Sequence, residues 1–246
     1  MASATGIPEQ NPALQEEEPL LGRPGDVTQR PGQGLQFNFV TGTAILAQAG
    51  IWILTALVWA AIFEHDFIFF SYHPLLNSAA TLLLVQGVLV LQPTAAQKDK
   101  VNGTYVHSIL NTLGVAGLIA GLAVIETNKA SHPETRFQSI HGKMGLVAYI
   151  LIFIQWLIGF AQFYTPQVFG GVDNAKALYK YHRVAGYILQ VYILAVIAAA
   201  TQTSYNQDVL HIKLWAVIVA AILVLMGVIP RIKKHKFGFQ VRDISG

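Results

Sequence analysis

Residues 67–91 read FIFFSYHPLLNSAATLLLVQGVLVL. The stretch holds no Asp, Glu, Lys or Arg, and one histidine, His73. A helix needs about 20 mostly apolar residues to cross the hydrocarbon core of a bilayer. Five more charge-free stretches occur, at 43–63, 101–125, 144–172, 184–207 and 214–230, the last lengthened by the apolar residues just before Lys213. Backbone polar groups in lipid must be satisfied within the chain, so these stretches predict helices. A spanning barrel would instead show segments of about 10 residues alternating in polarity, which the sequence lacks. The fold class expected is all-α, a polytopic membrane protein with six transmembrane helices.

The composition agrees. Of 246 residues, 53% are hydrophobic and 12% charged, with a mean hydropathy of +0.47. Soluble domains carry about 25% charged residues. Cysteine is absent, which excludes disulfides, zinc–thiolate sites, iron–sulfur clusters and covalent haem attachment. The net charge is +3, with no basic block before position 98, so nucleic acid is not an expected partner.

Residues 1–36 hold five of the ten prolines, five glycines and the acids Glu9, Glu16, Glu17, Glu18 and Asp26. Such a segment buries too little apolar surface to offset its ordering entropy and reads as a disordered tail. It has no basic start, apolar run or cleavage site of a signal peptide. The transmembrane domain is then 37–236, with a short C-terminal tail at 237–246. Six spans put both termini on one side. That side carries Lys98, Lys100, Lys176, Lys180, Arg183, Arg231, Lys233, Lys234, Lys236 and Arg242, against Lys129, Arg136, Lys143 and Lys213 on the other. The excess places both termini in the cytosol. The sequon Asn102-Gly103-Thr104 is then cytosolic and silent.

Four histidines fall inside or at the entry of consecutive spans: His73, His107, His141 and His182. Ionisable side chains in membrane helices are functional candidates by default. All four lie near the N-terminal ends of their spans. In an up-down-up-down bundle diagonal helices are parallel, so His73 faces His141 across one leaflet and His107 faces His182 across the other. Four residues on, on the same helix face, come Asn77, Asn111, Gly145 and Gly186. Two facing imidazoles suit haem iron. Zinc prefers three or four ligands with carboxylates or thiolates among them, and the spans hold no Asp. Non-covalent b-type haem is the metal group that remains, and two axial imidazoles leave iron open to electron transfer rather than oxygen binding. His65, His132, His211 and His235 read as loop or interface residues.

These residues resemble the cytochrome b561 family of transmembrane di-haem proteins, over roughly residues 40–235. The telling pieces are Tyr72-His73-Pro74-Leu75, His107 with Asn111, Ile140-His141-Gly142-Lys143-Met144-Gly145-Leu146 and Tyr181-His182-Arg183-Val184-Ala185-Gly186-Tyr187. The branch is similar to the short b561-domain-containing proteins. The resemblance implies a central four-helix haem-binding bundle made by the second to fifth helices. It implies two haem b, held by His73 and His141 on the non-cytosolic side and by His107 and His182 on the cytosolic side. It also implies a transmembrane oxidoreductase that carries electrons from a cytosolic reductant, usually ascorbate, to monodehydroascorbate or a ferric chelate. The chain departs from the ascorbate-linked pattern at two places. The second span ends Leu91-Gln92-Pro93-Thr94 instead of in arginines, and Tyr105 stands where a lysine precedes the third-span histidine.

Asn77 and Asn111 are expected beside the haems, and Arg183 and Lys143 against haem propionates. Substrate candidates are Lys98, Lys100, Lys176 and Lys180 on cytosolic loops, and Lys129, His132 and Arg136 opposite. Partners expected are membrane lipid, a small-molecule donor and a small-molecule acceptor; a homodimer is compatible with the reading. Glu16-Glu17-Glu18-Pro19-Leu20-Leu21 fits an acidic dileucine signal that binds a sorting adaptor, giving an endosomal or vacuolar address beside the plasma-membrane one. The competing function is a histidine-based proton or ion transporter without haem.

Overall fold

The computed structural model describes residues 27–131 and 133–233. The dileucine-like stretch, His132 and the 237–246 tail lie outside them. Among the described residues the regular elements are all helical. Six helices are long and apolar enough to cross a membrane: α1 (Ala44–Phe63), α2 (Tyr72–Leu91), α3 (Gln97–Lys129), α4 (Ile140–Tyr164), α5 (Val172–Ala200) and α6 (Leu214–Val228). The spanning part of α6 is continued to Arg231 by a 3₁₀ turn. The chain is an integral, multi-pass membrane protein.

Of the boundaries that differ from the charge-free runs, three matter most here. Helix α5 starts twelve residues before position 184, so Lys176, Lys180 and Arg183 lie on helical turns and not on a loop. Helix α3 likewise begins at Gln97 and carries Lys98 and Lys100. Charge delimits the apolar part of a helix, not the helix. His107 and His182 therefore sit about three turns inside their helices, whereas His73 and His141 are each the second residue of theirs. The third difference is before α6, where Lys213 caps the helix without being drawn into it. Residues Asn206–Leu210 form a π-helical turn that ends at His211, whose φ of 54° breaks the chain direction.

The helices pair as α2 with α3, α4 with α5, and α1 with α6, while α3 and α4 touch much less. A shared core of Ala80, Val115, Leu118, Ala148, Ile152, Leu189 and Val196 joins α2–α5. The outer helices close on it through a second core containing Ile51, Leu54, Val85, Leu89, Leu194, Val217 and Val224. Helix α1 meets α6 backbone to backbone: a side chain at Gly227 would collide with Ala47, the close approach that small residues permit in membranes. Large apolar side chains such as Ile45, Ile188 and Trp215 face outward, which suits lipid and not water.

Residues 27–36, which composition assigns to the tail, are packed at their start. Val27, Thr28 and Gln29 are buried, and the Gln29 amide donates to the Pro93 carbonyl at 2.9 Å. The fastening is polar. Asn38 Nδ2 donates to Gln29 Oε1 at 3.0 Å and to the Val90 carbonyl at 2.8 Å. Arg231, 1% exposed, donates to the carbonyls of Asn38 at 3.0 Å and Leu89 at 3.3 Å. Gln92 reaches the Tyr187 hydroxyl at 3.0 Å and the Val228 carbonyl at 3.1 Å. This lattice ties the incoming chain to the ends of α2 and α6 and to Tyr187 midway along α5.

Candidate haem sites

The imidazole of His73 bonds through Nδ1 to the carbonyl of Gly121 on α3, at 3.0 Å. That of His107 bonds through Nδ1 to the carbonyl of Gly87 on α2, at 2.7 Å. That of His141 bonds through Nδ1 to the carbonyl of Val196 on α5, at 3.0 Å. A carbonyl only accepts, so Nδ1 carries the proton in all three rings, and Nε2 is left with its lone pair. A second hydrogen bond of this kind fixes both tautomer and ring orientation of a metal-ligating histidine.

His73 and His141 come together from α2 and α4. Their ring centres are 6.3 Å apart and the rings are nearly perpendicular, at 83°. Imidazoles brought this close from two helices could hold one haem iron between them. His182 on α5 lies within electrostatic reach of His107 on α3. Its ring rests on Gly159 of α4, where a side chain would collide with it, and its buried Nδ1 has no partner. Gln155 Nε2 donates to the His182 backbone carbonyl at 2.7 Å.

The helix face one turn on from His141 leaves room for a flat group. Gly145, one turn after His141, has no neighbour within 4 Å of where a Cβ would stand. The weak contact between α3 and α4 leaves an apolar cleft of about 330 Å³ lined by Val115, Leu118, Tyr149, Ile152 and Phe153 among others. A donor set of imidazoles with unclaimed Nε2 atoms, set in apolar walls, fits haem. No group of three or more His, Cys, Asp or Glu residues able to hold a different metal occurs among the described residues.

Asn77 and Asn111 stand one turn after their histidines, as spacing predicts. Asn77 Nδ2 donates to the His73 carbonyl at 2.7 Å, and Asn77 Oδ1 accepts from the Tyr149 hydroxyl at 2.7 Å. Asn111 donates to the His107 carbonyl at 2.7 Å. Each asparagine lies against the glycine whose carbonyl holds the histidine: Asn77 against Gly121, Asn111 against Gly87. The pattern is one motif used twice, His at i, Asn at i+4 and Gly at i+14, in two antiparallel helices. The glycines and Val196 as acceptors, the Gly159 seat and Tyr149 are absent from the expected site. The i+14 spacing was the available signal for the two glycines.

The other candidates are placed as follows. Arg183 is half-buried beside His182, and Lys143 is exposed beside His141. Lys98 and Lys180 are exposed, with Lys180 Nζ 4.9 Å from the centre of the Tyr181 ring. Lys100 and Lys129 are half-buried. Lys176 is 3.9 Å from Asp173. Arg136 pairs with Glu126 at 3.3 Å, so part of its charge is met within the chain.

The family profile described as eukaryotic cytochrome b561 matches residues 72–210, which run from the start of α2 to the turn after α5. The chain is 23% identical over 130 residues to the human "Transmembrane ascorbate-dependent reductase CYB561", covering 53% of this chain and 51% of that protein. The mouse protein of that name matches over the same shares. A Caenorhabditis elegans protein named "Putative transmembrane ascorbate-dependent reductase CYB561 homolog" is 23% identical over 198 residues, 73% of this chain and 72% of that one. The chain thus spans about half the length of the mammalian relatives it matches. No solved structure matches. With more than half its length in the profile, and with that half carrying His73, His107, His141 and His182, the chain belongs to the cytochrome b561 family.

Proposed function

We propose that the protein moves electrons across a membrane through two b-type haems, one held by His73 and His141 and the other by His107 and His182. The observation that carries this reading is the pair of rings 6.3 Å apart, each fixed through Nδ1 to a carbonyl of a neighbouring helix. Held by these histidines, haem would supply a one-electron redox centre. The chain's own residues set its surroundings. The carbonyls of Gly121, Gly87 and Val196 orient the imidazoles. Asn77 and Asn111 brace the turn below each ring. Arg183 and Lys143 supply charge for carboxylates near His182 and His141. The apolar cores between the two sites exclude water.

The excess of Lys and Arg at the ends bearing His107 and His182 assigns that side to the cytosol. The relatives' names support ascorbate as the cytosolic reductant. On this side its anion meets Lys98, Lys100, Lys176 and Lys180. The acceptor opposite is monodehydroascorbate or a ferric chelate. The test is an absorption spectrum of the detergent-purified protein, followed by addition of ascorbate. The expected result is a Soret band with two haems per chain that shifts on reduction. Folded protein without a Soret band overturns the reading.

A further inference from the structure

The four histidines differ in what meets Nδ1, the ring nitrogen left over when Nε2 binds a metal. In His73, His107 and His141 a backbone carbonyl of a neighbouring helix meets it. In His182 it is buried and has no partner. With Nε2 given to iron, Nδ1 carries the proton. A buried N–H of this kind is expected to find an acceptor.

One unclaimed acceptor stands on the same interface. Helices α4 and α5 run antiparallel in a register that three contacts fix. Gln155 lies against Gly186, and Gly159 lies against the His182 ring. The Tyr179 hydroxyl donates to the Gln162 carbonyl at 3.4 Å. One turn forward along α4 is thus matched by one turn back along α5, and Gln162 stands one turn from the seat of the His182 ring. Its side chain is buried, and Oε1 has no partner. A helical side chain tilts toward the N-terminus of its helix, so the His182 ring leans toward the level of Tyr179 and Gln162. Gln155 lies on the other side and is engaged there, with Nε2 on the His182 carbonyl at 2.7 Å. Gln190, whose amide is also buried and unpartnered, lies eight residues on from His182, about 12 Å farther along α5. Hairpin packing accounts for a buried side chain at 162, but not for an amide there, since leucine fills such a place with no polar atom to satisfy.

We propose that Gln162 is a positioning residue for His182: in the haem-loaded protein its Oε1 accepts the Nδ1 hydrogen, and this bond tunes the reduction potential of the haem at His107 and His182. The inference rests on the haem reading above. An acceptor on Nδ1–H makes the imidazole a more basic ligand. A more basic ligand favours iron(III), so the bond lowers the midpoint potential of that haem. His73, His107 and His141 take the bond from the backbone, where replacing the acceptor's side chain does not delete the carbonyl. His182 takes it from a side chain, so one substitution retunes one haem of the two.

The test is a spectroelectrochemical titration of the full-length, haem-loaded protein in detergent, as wild type, Gln162→Met and Gln162→Glu, with the EPR spectrum of each oxidised sample. Gln162→Met has the length of glutamine and no oxygen to accept with. It raises the midpoint of one haem by about tenfold in the reduction equilibrium, about 59 mV for one electron. Gln162→Glu keeps an acceptor and strengthens it, and lowers the same midpoint. The low-spin EPR signal of that haem moves in both variants, and the other haem keeps its midpoint and its signal. Loss of one haem in Gln162→Met that Gln162→Glu retains also supports the bond, since such partners hold metal affinity as well. Two haems with unmoved midpoints in both variants overturn the inference and leave the electron-transfer reading standing. Shifts of the same sign in both variants, or loss of haem from both, overturn it too, because altered packing then explains the effect. Folded wild type without a Soret band overturns the inference together with the reading beneath it.

Discussion

The two hairpins that supply the histidines are built differently. In α2 and α3 the support is reciprocal. His73 bonds to the backbone of α3 and His107 to that of α2, each at a glycine that an asparagine packs against. In α4 and α5 only His141 has a carbonyl partner, Val196. His182 leans on Gly159 with its Nδ1 unpaired, and the residues at i+4 are Gly145 and Gly186 instead of asparagines. One hairpin is a preset wall that fixes two rings. The other presents its rings over glycines, where a flat group finds room. A bundle that must accept a rigid macrocycle gains from one fixed half and one that adjusts.

The largest effect expected is at the rings themselves. His107→Ala or His182→Ala removes one haem of two and keeps the other, read as haem per chain in a pyridine haemochrome assay. His73→Ala or His141→Ala does the converse. Loss of both haems from any single change would join the hairpins into one cooperative site. Next come the glycines, which separate the halves. Gly121→Leu drives into Asn77, costs about 1–3 kcal/mol of stability by overpacking, and displaces His73, so both thermal stability and haem fall. Gly145→Leu enters open space in the chain alone, and leucine is the better helix former by roughly 0.5–1 kcal/mol. Its apoprotein therefore melts no lower than wild type while haem at His141 is lost. Equal destabilisation of the two apoproteins would erase the distinction between wall and adjustable face.

Within the wall, Asn77 carries more than Asn111. It bridges His73 and Tyr149, on α2 and α4, whereas Asn111 bonds within α3. Asn77→Ala leaves the half-buried Tyr149 hydroxyl without its partner and costs about 1–2 kcal/mol. Asn111→Ala removes one bond and costs about 1 kcal/mol. Thermal unfolding of the two variants in detergent orders them. The reverse order would place the stronger brace on the His107 side.

Much of this was legible in the sequence, and the illegible part has a physical cause. Long charge-free runs fix the number of helices because lipid tolerates nothing else. Four histidines one helix apart mark the candidate sites because such side chains are costly in lipid. The start of α5 was not legible, since Lys176, Lys180 and Arg183 read as loop although a helix extends past the apolar zone. The backbone acceptors were less legible still. A carbonyl has no letter, and Val196 leaves no trace in the sequence. Gly87 and Gly121 leave one only through their common distance from His73 and His107, which gains meaning once α2 and α3 are known to pack antiparallel. Residues 27–29 look like the rest of a proline-rich tail until Gln29 is seen against Pro93 and Asn38.

The smallest effect is expected at Gln155, and it probes how the adjustable hairpin holds its His182 ring. Gln155 donates to the His182 carbonyl, which inside a helix also receives the amide four residues on. Gln155→Leu thus leaves no buried group without a partner and costs only about 0.5–1.5 kcal/mol. Haem is retained at two per chain, and unfolding shifts slightly downward. The imidazole itself has the Gly159 seat and no Nδ1 bond to lose. Should Gln155→Leu shed the second haem, α5 would be positioned by this amide as firmly as α2 is by the Gly121 carbonyl, and the two hairpins would be equally preset.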